Sequence, residues 1–239
     1  MVMDNKTYQI DYQFIFEDGR EKLFRIVLDP ETITIIRPEL KNKPDWTKLG
    51  HEQCKCCPLT KKEHPHCPIA LNIEEVVEEF KGMFSYDDCV VRCTTPERTY
   101  LKKTSIMEGL SSIFGIIMAT SNCPVMEVFK PMARFHLPFC TAQETVMRST
   151  SMYLLRQYFE HKNDKPPDLD LQLLDKHYEK VKAVNEGFMA RISNLVEKDA
   201  DKNAINILNS YAQMLSMQIY YSLSSLEYLF IGHSEIPIS

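Results

Sequence analysis

Residues 8–28, YQIDYQFIFEDGREKLFRIVL, alternate almost without interruption. Tyr8, Ile10, Tyr12, Phe14 and Phe16 share one side of an extended chain, because successive side chains of a strand point to opposite faces. Asp18-Gly19 is a hairpin turn, and Phe24, Ile26 and Leu28 resume the pattern beyond it. Asp29-Pro30-Glu31 reads as a second turn and the β-branched run Thr32 to Ile36 as a third strand. The chain is therefore expected to open as an antiparallel meander with one wet face.

Working outward, Pro38 and Pro44 end the meander, and residues 44–68 are expected to form an irregular loop that needs an external staple. Pro58, Pro65 and Pro68 disfavour regular structure there. A short amphipathic helix is expected from Asn72 as N-cap to Gly82, with Glu74 and Glu75 in its first turn. Residues 88–103 alternate again around a Thr-Pro-Glu turn and should add a second hairpin to the sheet.

After Lys103 the period changes. Thr104 or Ser105 can cap a largely apolar, buried helix through EGLSSIFGIIMAT, and Ser121-Asn122-Cys123-Pro124 is its natural end. Three longer helices follow over residues 141–161, 168–198 and 201–230. The first opens with a capping box between Thr141 and Glu144, and Lys165-Pro166-Pro167 links it to the second. The fold class is α+β: an antiparallel β-rich lobe over 1–103 carrying the loop 44–68, then a helical-bundle lobe over 104–239, both sharing one core.

At 239 residues the chain can bury a sizeable core. Its 28 Lys and Arg against 33 Asp and Glu give a net charge of −5, with no basic block and no aromatic-basic interleaving, so nucleic acid is not an expected partner. The N-terminal stretch MVMDNKTYQIDYQF lacks a basic segment leading into an apolar one, and no run of about 18 apolar residues occurs. The expectation is a cytoplasmic protein with no membrane association. Its eight cysteines then read as reduced thiols or metal thiolates rather than a disulfide framework.

Seven potential metal ligands crowd into residues 51–67: His51, Cys54, Cys56, Cys57, His64, His66 and Cys67. Thiolates and imidazoles at short spacing on one loop can converge on an ion with little chain entropy left to lose. Cys54 and Cys57 form a C-x2-C pair, and Cys67 follows. Cys56, between the paired thiols, should point away from them. The fourth ligand could be His64, His66 or His51, completing three cysteines and a histidine. It could instead be Cys123, which like Cys57 and Cys67 is followed by proline, as iron-sulfur ligands often are. Cys89, Cys93 and Cys140 read as core or surface residues.

Lys130, Arg134 and His136 form a second constellation in FKPMARFHLPF, an apolar, proline-bounded stretch in which cations need partners. One reading is an anion or substrate site, with Arg134 as a clamp, Lys130 beside it and His136 as acid, base or further metal ligand. The other is structural, with Arg134 paired to a glutamate and His136 hydrogen-bonded in the core, and this is the reading that the residues favour. Arg148 and Arg156 read as a solvated or salt-bridged helix face. Met107, Met118, Met126 and Met132 read as core filler rather than copper ligands. Neither a nucleotide-binding glycine loop nor an HExxH helix occurs.

The segments PDWTKLGHEQCKCCPL, EHPHCPIALN, GLSSIFGIIMATSNCP, FKPMARFHLPF and RSTSMYLLRQYF resemble a family of bacterial proteins of about this length whose function is uncharacterised. The resemblance spans nearly the whole chain and implies that Cys54, Cys57, Cys67 and Cys123, with their prolines, belong to the family pattern. It implies no activity. The expected function is a zinc-binding module of binding or regulatory type, whose partners are the metal ion and a protein or small anionic ligand. The alternative is an iron-sulfur or redox protein, or a metal-dependent enzyme with a site between the lobes.

Overall fold

The computed structural model describes residues 7–193, together with 195, 223 and 226–230. Strands β1 (Tyr8–Phe16) and β2 (Glu21–Leu28) form the hairpin around Asp18-Gly19, with Tyr12 opposite Phe24 and Ile10 opposite Ile26. Gly19 sits at φ 83°, a region open to glycine because it has no Cβ. Strands β3 (Asp88–Thr94) and β4 (Thr99–Ser105) form the second hairpin, and β3 pairs with the free side of β1, placing Phe14 opposite Val91 and Tyr12 opposite Cys93. The sheet order is β2-β1-β3-β4, antiparallel throughout.

Two elements depart from the sequence expectation. Thr32 to Ile36 is not a strand: Ile35 bridges to Leu28 and the Ile36 amide donates to Val27 O at 2.8 Å, but the Ile35 amide donates to Thr120 O at 3.0 Å, so the ladder stops after one bridge. The first helix, α1 (Pro68–Phe80), begins four residues before Asn72, with Cys67 as N-cap and Pro68 in the first helical position, where its missing N–H costs nothing. Asn72 lies inside the helix and donates from Nδ2 to Pro68 O.

The apolar face of the sheet is covered by α1, whose Phe80 ring meets Phe14, and by α2 (Ile106–Thr120). Ser105 caps α2 by accepting from the Glu108 amide. Gly109 rests on the Phe14 ring and Val91, where a side chain would have no room. Asn122, at φ 65°, turns the chain out of α2 and delivers Cys123. A 3-10 turn (Glu127–Phe129) and the short α3 (Lys130–Arg134) lead into the proline-bounded stretch that carries His136. The long α4 (Ala142–Lys162) has the Thr141/Glu144 capping box, and α5 is Gln172–Ile192. The helix read over 201–230 lies almost wholly outside the described residues. The buried apolar side chains of the sheet and the helices, Met118 and Met126 among them, belong to one cluster. Among the described residues, no helix is long and apolar enough to cross a membrane.

Candidate metal centre

The 44–68 loop is irregular, yet it closes on itself. A 3-10 turn (Asp45–Thr47) buries Trp46, and Lys48 and His66 form an isolated antiparallel bridge. The Leu49 amide donates to Pro65 O at 2.9 Å and the Cys67 amide to Thr47 O at 2.8 Å. Thr47 Oγ1 and His66 Nδ1 are 2.8 Å apart. Trp46 and Leu49 anchor the loop in the core. The loop is thus tied by hydrogen bonds of its own and by its buried Trp46 and Leu49.

Its cysteine-bearing arm lies along α5. The turn at Cys54–Cys57 is closed by the Cys57 amide donating to Cys54 O at 3.0 Å. The Cys54 thiol points to Val184 O at 3.8 Å, and the Cys56 thiol points to Lys180 O at 3.3 Å, one helical turn away. Gly187 makes the approach of Cys54 possible: a β-carbon there would meet Cys54 Sγ at 2.8 Å and its Cα at 3.0 Å.

Four thiols, three of the loop and one just past α2, bear electrostatically on Cys54. Burial pushes the Cys54 thiol up to about 12, and the neighbouring Cys67, Cys56, Cys123 and Cys57 push the same way. Burial likewise raises Cys123 to about 11, against the Val125 and Met126 backbone N–H groups that hydrogen-bond to it, while Cys67 and Cys57 add to the rise. Cys67 occupies the N-cap position of α1, its side chain making no hydrogen bond to the first turn. None of the eight cysteines is paired in a disulfide. The donor set is soft, and sulfur-rich sets of this kind suit zinc or an iron-sulfur cluster. Among the described residues, no three His, Cys, Asp or Glu side chains are grouped as a ready-made metal site.

The histidines are placed differently. His51 and His64 are exposed on the loop. His66 has its Nδ1 on Thr47, and its pKa is lowered mainly by burial, then by Lys43 and Lys48.

Arg191 of α5 is the residue that sequence reading missed. It is only 1% exposed, and its guanidinium donates to Trp46 O at 2.5 Å, Lys48 O at 2.7 Å and Leu49 O at 3.4 Å. Burial lowers its pKa, while Cys67, Cys54 and Cys57, followed by Glu52, oppose that fall. One signal was available: Arg191 stands seven residues after Val184, on the helical stripe that carries the apolar contacts of α5.

The second constellation does not converge. Lys130 pairs with Glu127 at 3.1 Å. Arg134 pairs with Glu97 at 3.4 Å and lies over the Tyr8 ring, 4.1 Å from its centroid, while the Tyr8 hydroxyl donates to the same Glu97 at 2.8 Å. His136 Nε2 is 2.5 Å from the buried Tyr12 hydroxyl, and its pKa is pushed down to about 3 by burial and then by the Arg148 charge. Arg148 is neither a solvated nor a salt-bridged surface residue: it donates to Met132 O, Phe135 O and Cys140 Sγ and so clamps the segment that carries His136. Arg156, in contrast, lies 4.0 Å from Glu160 on the α4 surface.

The architecture is that of an α+β protein whose cysteine-rich loop packs against a helix, beside the end of a second helix that carries a further cysteine. Residues 10–231 match the family described as Domain of unknown function (DUF6901), and the chain belongs to that family. No curated protein and no solved structure matches it.

Proposed function

We propose that this chain is a cytoplasmic metal-binding protein in which Cys54, Cys57, Cys67 and Cys123 hold one zinc ion, acting as a binding or regulatory module. The supporting observation is that Cys67, Cys123 and Cys57 all bear on the Cys54 thiol, and Cys67 and Cys57 on Cys123, which follows the end of α2. Thiolate is the metal-binding form, and the N–H groups directed at Cys123 favour it once an ion displaces the proton. A bound ion would tie the loop to the end of α2, a link that the loop's own hydrogen bonds do not make. Cys56 is ranked below them because its thiol points to Lys180 O, one turn along α5 from the Val184 carbonyl that Cys54 addresses, and His66, whose Nδ1 meets Thr47 Oγ1, is the reserve ligand through Nε2.

The test is elemental analysis with an absorption spectrum on anaerobically purified protein. About one zinc per chain is expected, lost in Cys54→Ser and Cys123→Ser and kept in His64→Ala and His66→Ala. Broad visible absorption with bound iron would assign a cluster instead. A wild-type protein that takes up neither metal would overturn the reading.

A further inference from the structure

A buried guanidinium ordinarily faces a carboxylate, since neutral acceptors satisfy its N–H groups without balancing its charge. Arg191 has only backbone carbonyls as hydrogen-bond partners among the described residues, those of Trp46, Lys48 and Leu49. These carbonyls belong to the part of the loop that bridges to His66, next to Cys67. The helix face that bears Arg191 also bears Gly187, against which Cys54 is packed, and Val184, whose carbonyl receives the Cys54 thiol. The guanidinium therefore lies on the α5 face against which Cys54 packs and holds the loop strand that bridges to His66, next to Cys67; the thiols of Cys67, Cys54 and Cys57 oppose the fall in its pKa.

Neutral thiols do not balance that charge, whereas a divalent ion held by four thiolates carries a net −2. We propose that Arg191 is the built-in counter-charge of the metal–thiolate centre, so that loading the loop with metal and seating it on α5 are one event. This rests on the metal-binding reading above. Arg191 is a positioning residue here: it touches backbone carbonyls, and it acts on the ion through the charge of the ligands around it.

The experiment measures zinc affinity by competition with a chromophoric chelator in the wild type, Arg191→Lys, Arg191→Gln and Arg191→Met. Thermal stability is recorded with zinc and after its removal. Arg191→Met and Arg191→Gln should bind zinc about 10- to 100-fold more weakly, a typical effect of removing outer-shell support. Arg191→Lys should recover most of the affinity, because it keeps the charge while losing the guanidinium fork. The stability gained on adding zinc should shrink in Gln and persist in Lys. If Arg191→Met does not fold, the Lys and Gln pair still decides. Equal zinc affinity in wild type and Arg191→Gln would overturn this inference alone, as would Arg191→Lys binding as weakly as Gln. A wild type that binds no metal would overturn both this inference and the proposed function.

Discussion

Gly187 lies directly beneath Cys54, so close that a methyl group on it would meet the sulfur at 2.8 Å, the Cα at 3.0 Å and the Cβ at 3.2 Å. The obstruction is backbone as well as side chain, so a rotamer change cannot relieve it. Gly187→Ala should lower stability by about 1–3 kcal/mol, the usual cost of overpacking, although alanine is the better helix former. Because the displaced group is Cys54, zinc affinity should fall with it. Chemical denaturation and chelator competition on one variant check both. An alanine variant as stable as wild type would show that the loop does not rest on α5 as described.

Cys54 and Cys56 are separated by one residue, yet their thiols address carbonyls a helical turn apart on α5. Cys56→Ser and Cys89→Ala should therefore retain zinc, whereas Cys54→Ser should lose it and melt at a lower temperature. Metal content with a thermal melt of each variant is the measurement. Loss of zinc from Cys56→Ser would move the centre toward the other side of the turn.

The features readable in advance were those written in local patterns. The 8–28 hairpin, the Ser105 cap and the Thr141/Glu144 box each rest on residues a few positions apart. Thr32 to Ile36 misled because β-branching signals a residue that fits a sheet and not how far the pairing runs; here it stops at a single bridge to Leu28, with the Ile35 amide given to Thr120 O at a helix end. The cysteine-rich loop was legible as composition but not as construction. Arg191 reaches the Trp46 carbonyl 145 residues upstream, and a carbonyl has no side-chain signature. Arg148 was hidden for the same reason, since its partners are two carbonyls and a thiol.

Tyr12 is fully buried, and its hydroxyl is 2.5 Å from His136 Nε2. Tyr12→Phe keeps the ring and removes the group that engages this nitrogen among the described residues. The expected loss is about 1–3 kcal/mol, the cost of leaving a buried polar atom unsatisfied. Equilibrium urea denaturation checks it. A loss below about 0.5 kcal/mol would mean that water reaches His136 in solution and replaces the phenol.

His136 also makes a pH prediction whose sign follows from proton counting. Burial and the nearby Arg148 hold its folded pKa at about 3, against 6.5 for an ordinary histidine. Between these values the unfolded chain binds the proton and the folded one does not, so stability rises with pH across that window. The contribution is fully present above pH 6.5 and is lost as the pH falls toward 3. His66 and His177, also lowered by burial, act in the same direction. At lower pH so does Glu108, whose carboxylate is held down by the Thr104 hydroxyl and Lys102. Comparing wild type with His136→Asn cancels those shared contributions. Between about pH 6 and pH 4 the wild type should lose stability more steeply than the variant, by up to roughly 1.4 kcal/mol per pH unit, the slope of one proton. Denaturation midpoints at several pH values for the two proteins give that difference directly. Parallel pH profiles would show that His136 takes up its proton in the folded state as readily as in the unfolded one, and that Tyr12 does not hold it in a closed, neutral pair.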